Sequence, residues 1–166
     1  MKRVAILQSC YIPWKGYFDL INSVDEFILY DDCQYTRQDW RNRNRIKTPN
    51  GTRWLTIPVT IDGLYEQRLD ETLVADPDWS SRHWDIVAQA HRKAPFFAAY
   101  RDEIEAAYAR CASEPRLSAV NRSFLETLCG ILGIETTLSW STDYAASGSS
   151  REIGRASCRE RVSECV

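Results

Sequence analysis

Basic residues recur at every second position within Asp31–Val59, which reads DDCQYTRQDWRNRNRIKTPNGTRWLTIPV. The alternating members are Arg41, Arg43, Arg45 and Lys47. Between Arg37 and Arg53 six basic residues stand against Asp39 alone, a local charge of +5 in a chain of net charge −2. Forked guanidinium donors suit phosphate or carboxylate, so this spacing predicts an anion-binding surface. The solvated outer face of a hairpin is an equally good interpretation.

Two asparagines lie between these cations, at positions that the predicted hairpin turns toward its apolar face. A buried amide is costly unless it finds hydrogen-bond partners, which favours a polar site over plain packing. Lys15 lies in a glycine-containing loop before a predicted helix, where backbone N–H groups suit an anion. The predicted substrate-binding residues are Lys15, Arg41, Asn42, Arg43, Asn44, Arg45 and Lys47.

Polar side chains also follow the first two predicted strands. The loop QSCYIPWKGYF brings amide and phenol groups next to a Pro and a Gly, and the pair Asp31-Asp32 ends the second strand. One carboxylate could act as a base, because adjacent strand residues point to opposite sides. Aromatic packing of the loop and a solvated strand end are the simpler interpretations. The candidate catalytic residues are Gln8, Tyr11, Asp31 and Asp32.

Metal ligands and disulfides have little support in the sequence. The six cysteines contain no CxxC pair, and His83 and His91 are eight residues apart in a predicted helix. That separation is too long for both imidazoles to bind one ion. Free thiols and no metal site are therefore expected, and the sequence does not identify a cofactor.

The elements that position these residues begin with a predicted βαβ unit. Residues 3–7 and 26–30 are short apolar runs typical of buried strands, and residues 17–23 form a helix between them. The loop from Gln8 and the Asp31-Asp32 pair should then lie at the carboxyl edge of a parallel sheet, where α/β folds bind ligands.

A β-hairpin is predicted next, because Asn50-Gly51 favours a two-residue type I′ turn. That turn would place Ile46 opposite Leu55 and Lys47 opposite Trp54. The alternation then puts the apolar residues, extended by Trp40 and Ile61, on one face. All four alternating cations would point to the other face.

Three helices and a returning strand complete the predicted order. Asp76-Pro77 opens the first helix, residues 96–111 and 117–132 form the next two, and Gly133 follows the last as its cap. Residues 135–140 read as the returning strand. The expected fold is α/β, with the βαβ unit and the hairpin in a mixed sheet, followed by the three-helix segment.

Residues 1–150 are expected to form one domain, and residues 151–166 to be a tail foreign to it. The tail, REIGRASCRERVSECV, lacks apolar periodicity and resembles a translated sequencing adaptor, so the domain is expected to be incomplete. The N-terminus lacks a long apolar signal region, and no apolar run approaches a membrane span. A cytoplasmic location is therefore expected.

The blocks QSCYIPWKGYFDLI, FILYDDCQYTRQDWRNRNRIKTPNG and WLTIPV resemble the WbqC-like family of bacterial proteins. The resemblance covers nearly all of residues 1–150. It implies a role in O-antigen or other surface-polysaccharide biosynthesis, with transfer of a glycyl, aminoacyl or acyl group to a sugar-linked acceptor. The expected ligand is phosphorylated or otherwise anionic.

Two alternatives stay open at this point. The first loop is similar to that of nucleotidyltransferase-like enzymes, although Leu7 stands where such chemistry uses an imidazole. A non-catalytic protein that binds an anion, a glycan or a partner through the basic face is the other. Nucleic acid is the weakest partner, because the basic patch is short and the chain is acidic overall.

Overall fold

The computed structural model describes residues 2–49, 51–61 and 67–144. It is an α/β fold, as the sequence predicts. The strands are β1 Val4–Leu7, β2 Glu26–Leu29, β3 Arg43–Thr48, β4 Gly51–Thr56 and β5 Thr137–Trp140. The helices are α1 Lys15–Asn22, α2 Trp79–His91, α3 Phe97–Cys111 and α4 Leu117–Leu132.

The parallel sheet has the strand order β1-β2-β5. Leu7 pairs with Leu29, and Leu29 pairs with Trp140, so all three strands end at the same edge. α1 connects β1 to β2 and buries Tyr17, Phe18 and Ile21 against Phe27. The predicted βαβ unit and the returning strand are confirmed, and the sheet presents one carboxyl edge.

The hairpin forms a two-stranded sheet of its own, so the predicted mixed sheet is wrong. Its inner face packs on helices, and Ile46, Leu55 and Ile57 join a core with Trp79 and Phe124. Because the hairpin buries its apolar face against the helices, it does not lie beside β1 and does not extend the parallel sheet.

The predicted hairpin register is also wrong, by two residues. Asn44 pairs with Leu55, and Thr48 pairs with Gly51, whose φ is 108°. A glycine adopts this φ without the cost that a Cβ brings, so the turn closes one position earlier than predicted. A shift of two preserves which side chains share a face. Asn50 lies outside the described residues.

Trp40 and Arg41 depart from the predicted two-faced pattern because both precede β3. The Trp40 ring lies 5.5 Å from the Trp54 ring on the outer side of the hairpin, and not on its apolar face. Arg41 turns inward, with its side chain 15% exposed. Only the residues within β3 and β4 alternate between the two faces of the hairpin.

The remaining chain follows the prediction closely. Gly133 ends α4 in the left-handed conformation at φ 68°. Cys10, Cys33, Cys111 and Cys129 are free thiols, while Cys158, Cys165 and the whole predicted tail lie outside the described residues. Within the described ranges, every helix is too short or too polar to cross a bilayer.

Candidate functional site at the carboxyl edge of the parallel sheet

Asp31 follows β2 and lies beside the residues that follow β1. Its side chain is 1% exposed, and its Oδ1 accepts a hydrogen bond of 2.8 Å from the Ser9 N–H. Its Oδ2 is buried and has no partner among the described residues. Burial raises the pKa of Asp31 to about 6. The carboxylate is therefore ionised at neutral pH, although only one of its oxygens accepts a hydrogen bond from the described residues.

Arg41 supplies a positive charge to this edge. Its Nη1 donates to the Cys10 Sγ at 2.8 Å, and its Nη2 lies 3.6 Å from the Asp39 Oδ2. The guanidinium lowers the pKa of Asp31, although burial outweighs it. The Arg41 Nε is buried with no partner in the described chain. Arg41 thus belongs with Asp31, and not with the cations of the outer face.

Asn121, in the first half of α4, completes the arrangement. It is fully buried, and its Nδ2 donates to the Ser9 Oγ at 3.0 Å and to the Arg41 carbonyl at 2.9 Å. Its Oδ1 has no partner among the described residues. The sequence prediction omitted Asn121. An amide between Val120 and Phe124, on the apolar stripe of a predicted helix, nevertheless indicates a buried polar group that needs hydrogen-bond partners.

We call Ser9, Cys10, Asp31, Arg41 and Asn121 the Asp31 cluster. It offers two buried acceptors and one buried donor that have no partners within residues 2–49, 51–61 and 67–144, a pattern that suits a polar ligand group. Burial raises the pKa of the Cys10 thiol, which opposes a thiolate nucleophile. Asp31 is the group of the cluster that could serve as a base, because a carboxyl with a pKa of about 6 can exchange protons near neutral pH.

Gln8 and Asp32 flank the cluster on its two sides. The Gln8 side-chain amide donates to the Cys33 Sγ, and the Gln8 carbonyl accepts from the Tyr17 hydroxyl at 2.8 Å. Asp32 accepts a hydrogen bond from the Ser141 hydroxyl just after β5. The two neighbouring aspartates therefore face different sides, as strand geometry predicts.

Tyr11 lies away from the cluster, in the core between the hairpin and the helices. Its hydroxyl is 2.9 Å from the His83 Nδ1 and 2.8 Å from the Tyr108 hydroxyl, and no part of the residue is exposed. Burial raises the pKa of Tyr11 well above its usual value. Burial also lowers the pKa of His83 to about 4, so this network is neutral at pH 7.

The two asparagines of the basic segment tie backbone segments together. The Asn42 Nδ2 donates to the Ile57 carbonyl at 2.8 Å. The Asn44 Nδ2 donates to the carbonyl of Ile12, whose φ is 44°. A β-branched residue at this φ is strained by about 1–3 kcal/mol, and such strain often marks a functional loop.

The outer face of the hairpin carries the remaining predicted cations. The Arg43 guanidinium lies 4.5 Å from the Trp54 ring centroid, and that of Arg45 lies 5.4 Å from it. Lys47 is exposed on the same face, and Lys15 is exposed at the start of α1. No described carboxylate forms an ion pair with Arg43, Arg45 or Lys47. This surface is separate from the Asp31 cluster.

Metal ligation finds no support in the described ranges, where no three His, Cys, Asp or Glu side chains are grouped to hold an ion.

Comparison with known proteins identifies the family. The chain is 49% identical over 144 residues to the uncharacterized protein Rv1507c of Mycobacterium tuberculosis (strain ATCC 25618 / H37Rv), covering 87% of this chain and 62% of that protein. No solved structure matches. The model of the WbqC-like protein family matches residues 8–164. The sequence blocks that resemble the family lie at the carboxyl edge and in the hairpin, and this chain belongs to the WbqC-like family.

Proposed function

We propose that the protein acts in surface-polysaccharide biosynthesis of the O-antigen type and transfers an acyl or aminoacyl group, such as glycyl, to a sugar-linked acceptor. The observation that carries this proposal is the Asp31 carboxyl, buried at the carboxyl edge with one oxygen unpartnered and a pKa of about 6. Family membership supports the biological setting. The chemistry is proposed from the groups in the Asp31 cluster.

The proposed step uses Asp31 as a general base. The acceptor amine or hydroxyl forms a bond to the donor carbonyl carbon while Asp31 takes its proton. Arg41 stabilises the negative charge that develops on the carbonyl oxygen. Collapse of the tetrahedral intermediate breaks the bond to the leaving group, which receives the proton back from Asp31. Asn121 holds the Ser9 hydroxyl and the Arg41 carbonyl, and so positions the cluster.

Turnover of the purified protein tests this function. Radiolabelled acyl-coenzyme A or glycyl donors are incubated with nucleotide-linked amino sugars, and transfer to the sugar is measured. Asp31→Asn should lower kcat by roughly 10²–10⁴-fold, the usual contribution of a general base. Asp32→Asn, the matched neighbour, should change kcat much less.

The pH profile gives an independent check on the same role. Activity should rise with pH as Asp31 loses its proton, with an inflection near pH 6. Equal activity of Asp31→Asn and the parent protein at every pH would remove Asp31 from the mechanism.

The unpaired cations of the outer face favour a second candidate, a non-catalytic protein that binds anionic glycans. Exposed Trp40 and Trp54 beside Arg43 and Arg45 offer aromatic and cationic contacts together. Such binding should weaken steeply with salt and with Arg43→Ala. Arg101→Ala, which removes an exposed arginine from α3, is the control. Binding that ignores Arg43 would oppose this candidate.

The nucleotidyltransferase-like alternative gains no support from the described residues. Leu7 packs in the core beside the parallel sheet, and His83 and His91 both belong to α2. The imidazole that this chemistry uses therefore has no counterpart on β1.

A further inference from the structure

A groove of about 460 Å³ lies between the end of the hairpin and the carboxyl end of α2. We call it the α2 groove. Its basic lining residues are Arg53 from the hairpin and Arg92 and Lys93 from the end of α2. It shares no lining residue with the Asp31 cluster. A volume of this size is typical of sites for small molecules.

Arg53 lies on the inner face of the hairpin, the face that packs on the helices. It pairs with Ile46, and directly opposed residues of two antiparallel strands share a face. Ile46 is buried in the core with the helices, so the Arg53 side chain leaves the strand on the same side. Burial is the main cause that lowers the pKa of His83 in α2 to about 4, and the charges of Arg82 and Arg53 lower it further. Arg53 therefore brings its charge to α2, unlike the cations of the outer face.

The three cations of the α2 groove lack opposite charges. None of them forms an ion pair with a described carboxylate, and no described Asp or Glu lines the groove. The carbonyl groups at the end of α2 favour nearby cations, which accounts for Arg92 and Lys93. That helix end carries only about half a negative charge, and Arg53 comes from a different element. The groove therefore holds excess positive charge that an anion would neutralise.

Neutral hydrogen-bonding groups line the same groove. The Thr48 hydroxyl donates to the Gly51 carbonyl at 2.8 Å and so is already used within the turn. The exposed side chains of Thr52 and Gln89 have no hydrogen-bond partner among the described residues. Forked guanidinium donors, an ammonium group, a hydroxyl and an amide together suit the several oxygens of a phosphate ligand.

We propose that the α2 groove binds the diphosphate group of a small molecule, with Arg53 on one side and Arg92 and Lys93 on the other. A diphosphate carries several negative charges and accepts hydrogen bonds from both elements, so it would join the hairpin end to α2. The assignment deepens the proposed function and rests on it for the ligand's role, because nucleotide-linked sugars and coenzyme A esters both carry a diphosphate. Binding itself stands on the groove and does not require turnover.

Calorimetric titration at fixed ionic strength tests the assignment with inorganic pyrophosphate, inorganic phosphate and sulfate. Pyrophosphate should bind saturably at a single site, roughly tenfold more tightly than phosphate or sulfate. Equal affinity for pyrophosphate and sulfate would show attraction of any anion, against the proposal. No saturable binding of pyrophosphate would overturn it.

Two larger probes distinguish the sources of the diphosphate. Uridine diphosphate represents a nucleotide-linked sugar, and coenzyme A represents an acyl donor. Each should compete with pyrophosphate, and the one that binds more tightly identifies the class of ligand. If neither competes with pyrophosphate, the groove does not take the diphosphate of a small molecule and the assignment is refuted.

Two hairpin arginines locate the binding within the fold. Arg53→Gln should weaken pyrophosphate binding roughly tenfold, because a charge-assisted hydrogen bond is lost. Arg43→Gln removes the same charge from the outer face, where the guanidinium lies 4.5 Å from the Trp54 ring centroid, and should weaken binding much less. Thermal unfolding verifies that both variants are folded. An equal or larger loss in Arg43→Gln would place the anion elsewhere and contradict the assignment.

A carboxylate placed in the groove provides a second check. Gln89 is exposed on α2 and Glu forms helix about as well, so Gln89→Glu should keep the fold. The added negative charge should abolish measurable binding of pyrophosphate. Ala98→Glu adds the same charge at an exposed position of α3 and should leave binding nearly unchanged. Pyrophosphate binding that survives in folded Gln89→Glu would refute the site.

Asp31→Asn separates this proposal from the proposed function. The variant should lose turnover and keep its affinity for pyrophosphate. If pyrophosphate binds in the groove and no transfer is found with any donor, the site stands and the transferase proposal fails. If transfer depends on Asp31 and pyrophosphate does not bind, the groove assignment fails alone.

Discussion

At the residue scale, the Asp31 cluster combines buried polar atoms with an incomplete set of partners. The Ser9 N–H and the Arg41 charge favour the ionised Asp31 carboxyl, but desolvation by burial disfavours it more strongly. Unsatisfied polar groups of this kind lower stability, and proteins retain them where binding or chemistry uses them. Stability measurements can therefore test the cluster without a substrate.

Asp31→Asn is expected to stabilise the protein at pH 7.5. The pKa of Asp31 rises from 3.8 in the unfolded chain to about 6 in the fold, so the folded state binds more protons between these values. Stability from this group is present at low pH and is lost as pH rises through 6. Asparagine cannot ionise and so removes that loss of stability, which should raise the free energy of unfolding by at most about 3 kcal/mol.

Urea unfolding at pH 7.5 and pH 4 measures this effect, with Asp32→Asn as the control. The gain should be much smaller at pH 4, where Asp31 is protonated in the fold and only partly ionised in the unfolded chain. A variant that is less stable than the parent at pH 7.5 would show that the carboxylate is well satisfied in the fold.

Tyr11→Phe tests whether the predicted catalytic role of Tyr11 holds. The change leaves the His83 Nδ1 and the Tyr108 hydroxyl without their shared partner in the core, which should cost about 1–3 kcal/mol of unfolding free energy. Turnover per folded molecule should stay the same. Tyr100→Phe, at an exposed position, should leave stability within about 0.5 kcal/mol. A large fall in kcat with normal stability would restore the catalytic role.

At the element scale, local signals placed most boundaries correctly. α4 begins at Leu117 and ends at Leu132 as predicted, and β1 and β2 differ from prediction by one terminal residue. The hairpin register failed by two residues, a shift that keeps Ile46 and Leu55 on the apolar face, so burial of that face does not distinguish the two registers. The Asn-Gly turn preference was the only local signal for the register, and it predicted the wrong one.

A pair of glycines three residues apart tests the end of α4. Gly133 has φ 68°, so Gly133→Ala should cost about 1 kcal/mol. Gly130 lies within the helix with open space around its Cα, so Gly130→Ala should stabilise by about 0.5–1 kcal/mol. Thermal unfolding of both variants measures the difference. Shifts of the same sign would contradict the left-handed cap.

At the scale of the whole molecule, α4 joins the two parts of the fold. Phe124 packs in the core under the hairpin, Leu125 packs in the core beside the parallel sheet, and Asn121 bonds to Ser9 across 112 positions of sequence. The Asp31 cluster and the core under the hairpin thus share one rigid element. The free energy of unfolding measured at acidic pH should report on this packing through the buried His83 imidazole.

His83 should make the protein sensitive to acid. Its pKa falls from 6.5 to about 4 on folding, so the unfolded chain binds the proton first. Stability from His83 is complete above pH 6.5 and is lost as pH falls toward 4, by up to about 3 kcal/mol. Asp31 changes in the opposite direction over an overlapping range, so urea titrations in the Asp31→Asn background isolate the loss. A flat profile there would contradict the buried neutral imidazole.

The sequence by itself determined the α/β class, the βαβ unit, the helix order and the carboxyl edge that carries Asp31, because apolar periodicity and cap or turn residues act locally. Only the tertiary structure separated Arg41 from the outer cations, buried Tyr11 in the helical core and brought Asn121 to Ser9. These placements depend on contacts between distant segments and on the side to which a loop residue turns, and no local pattern specifies them. An apolar cavity lined by Ile46, Leu55 and Phe124 likewise forms where the hairpin and three helices meet.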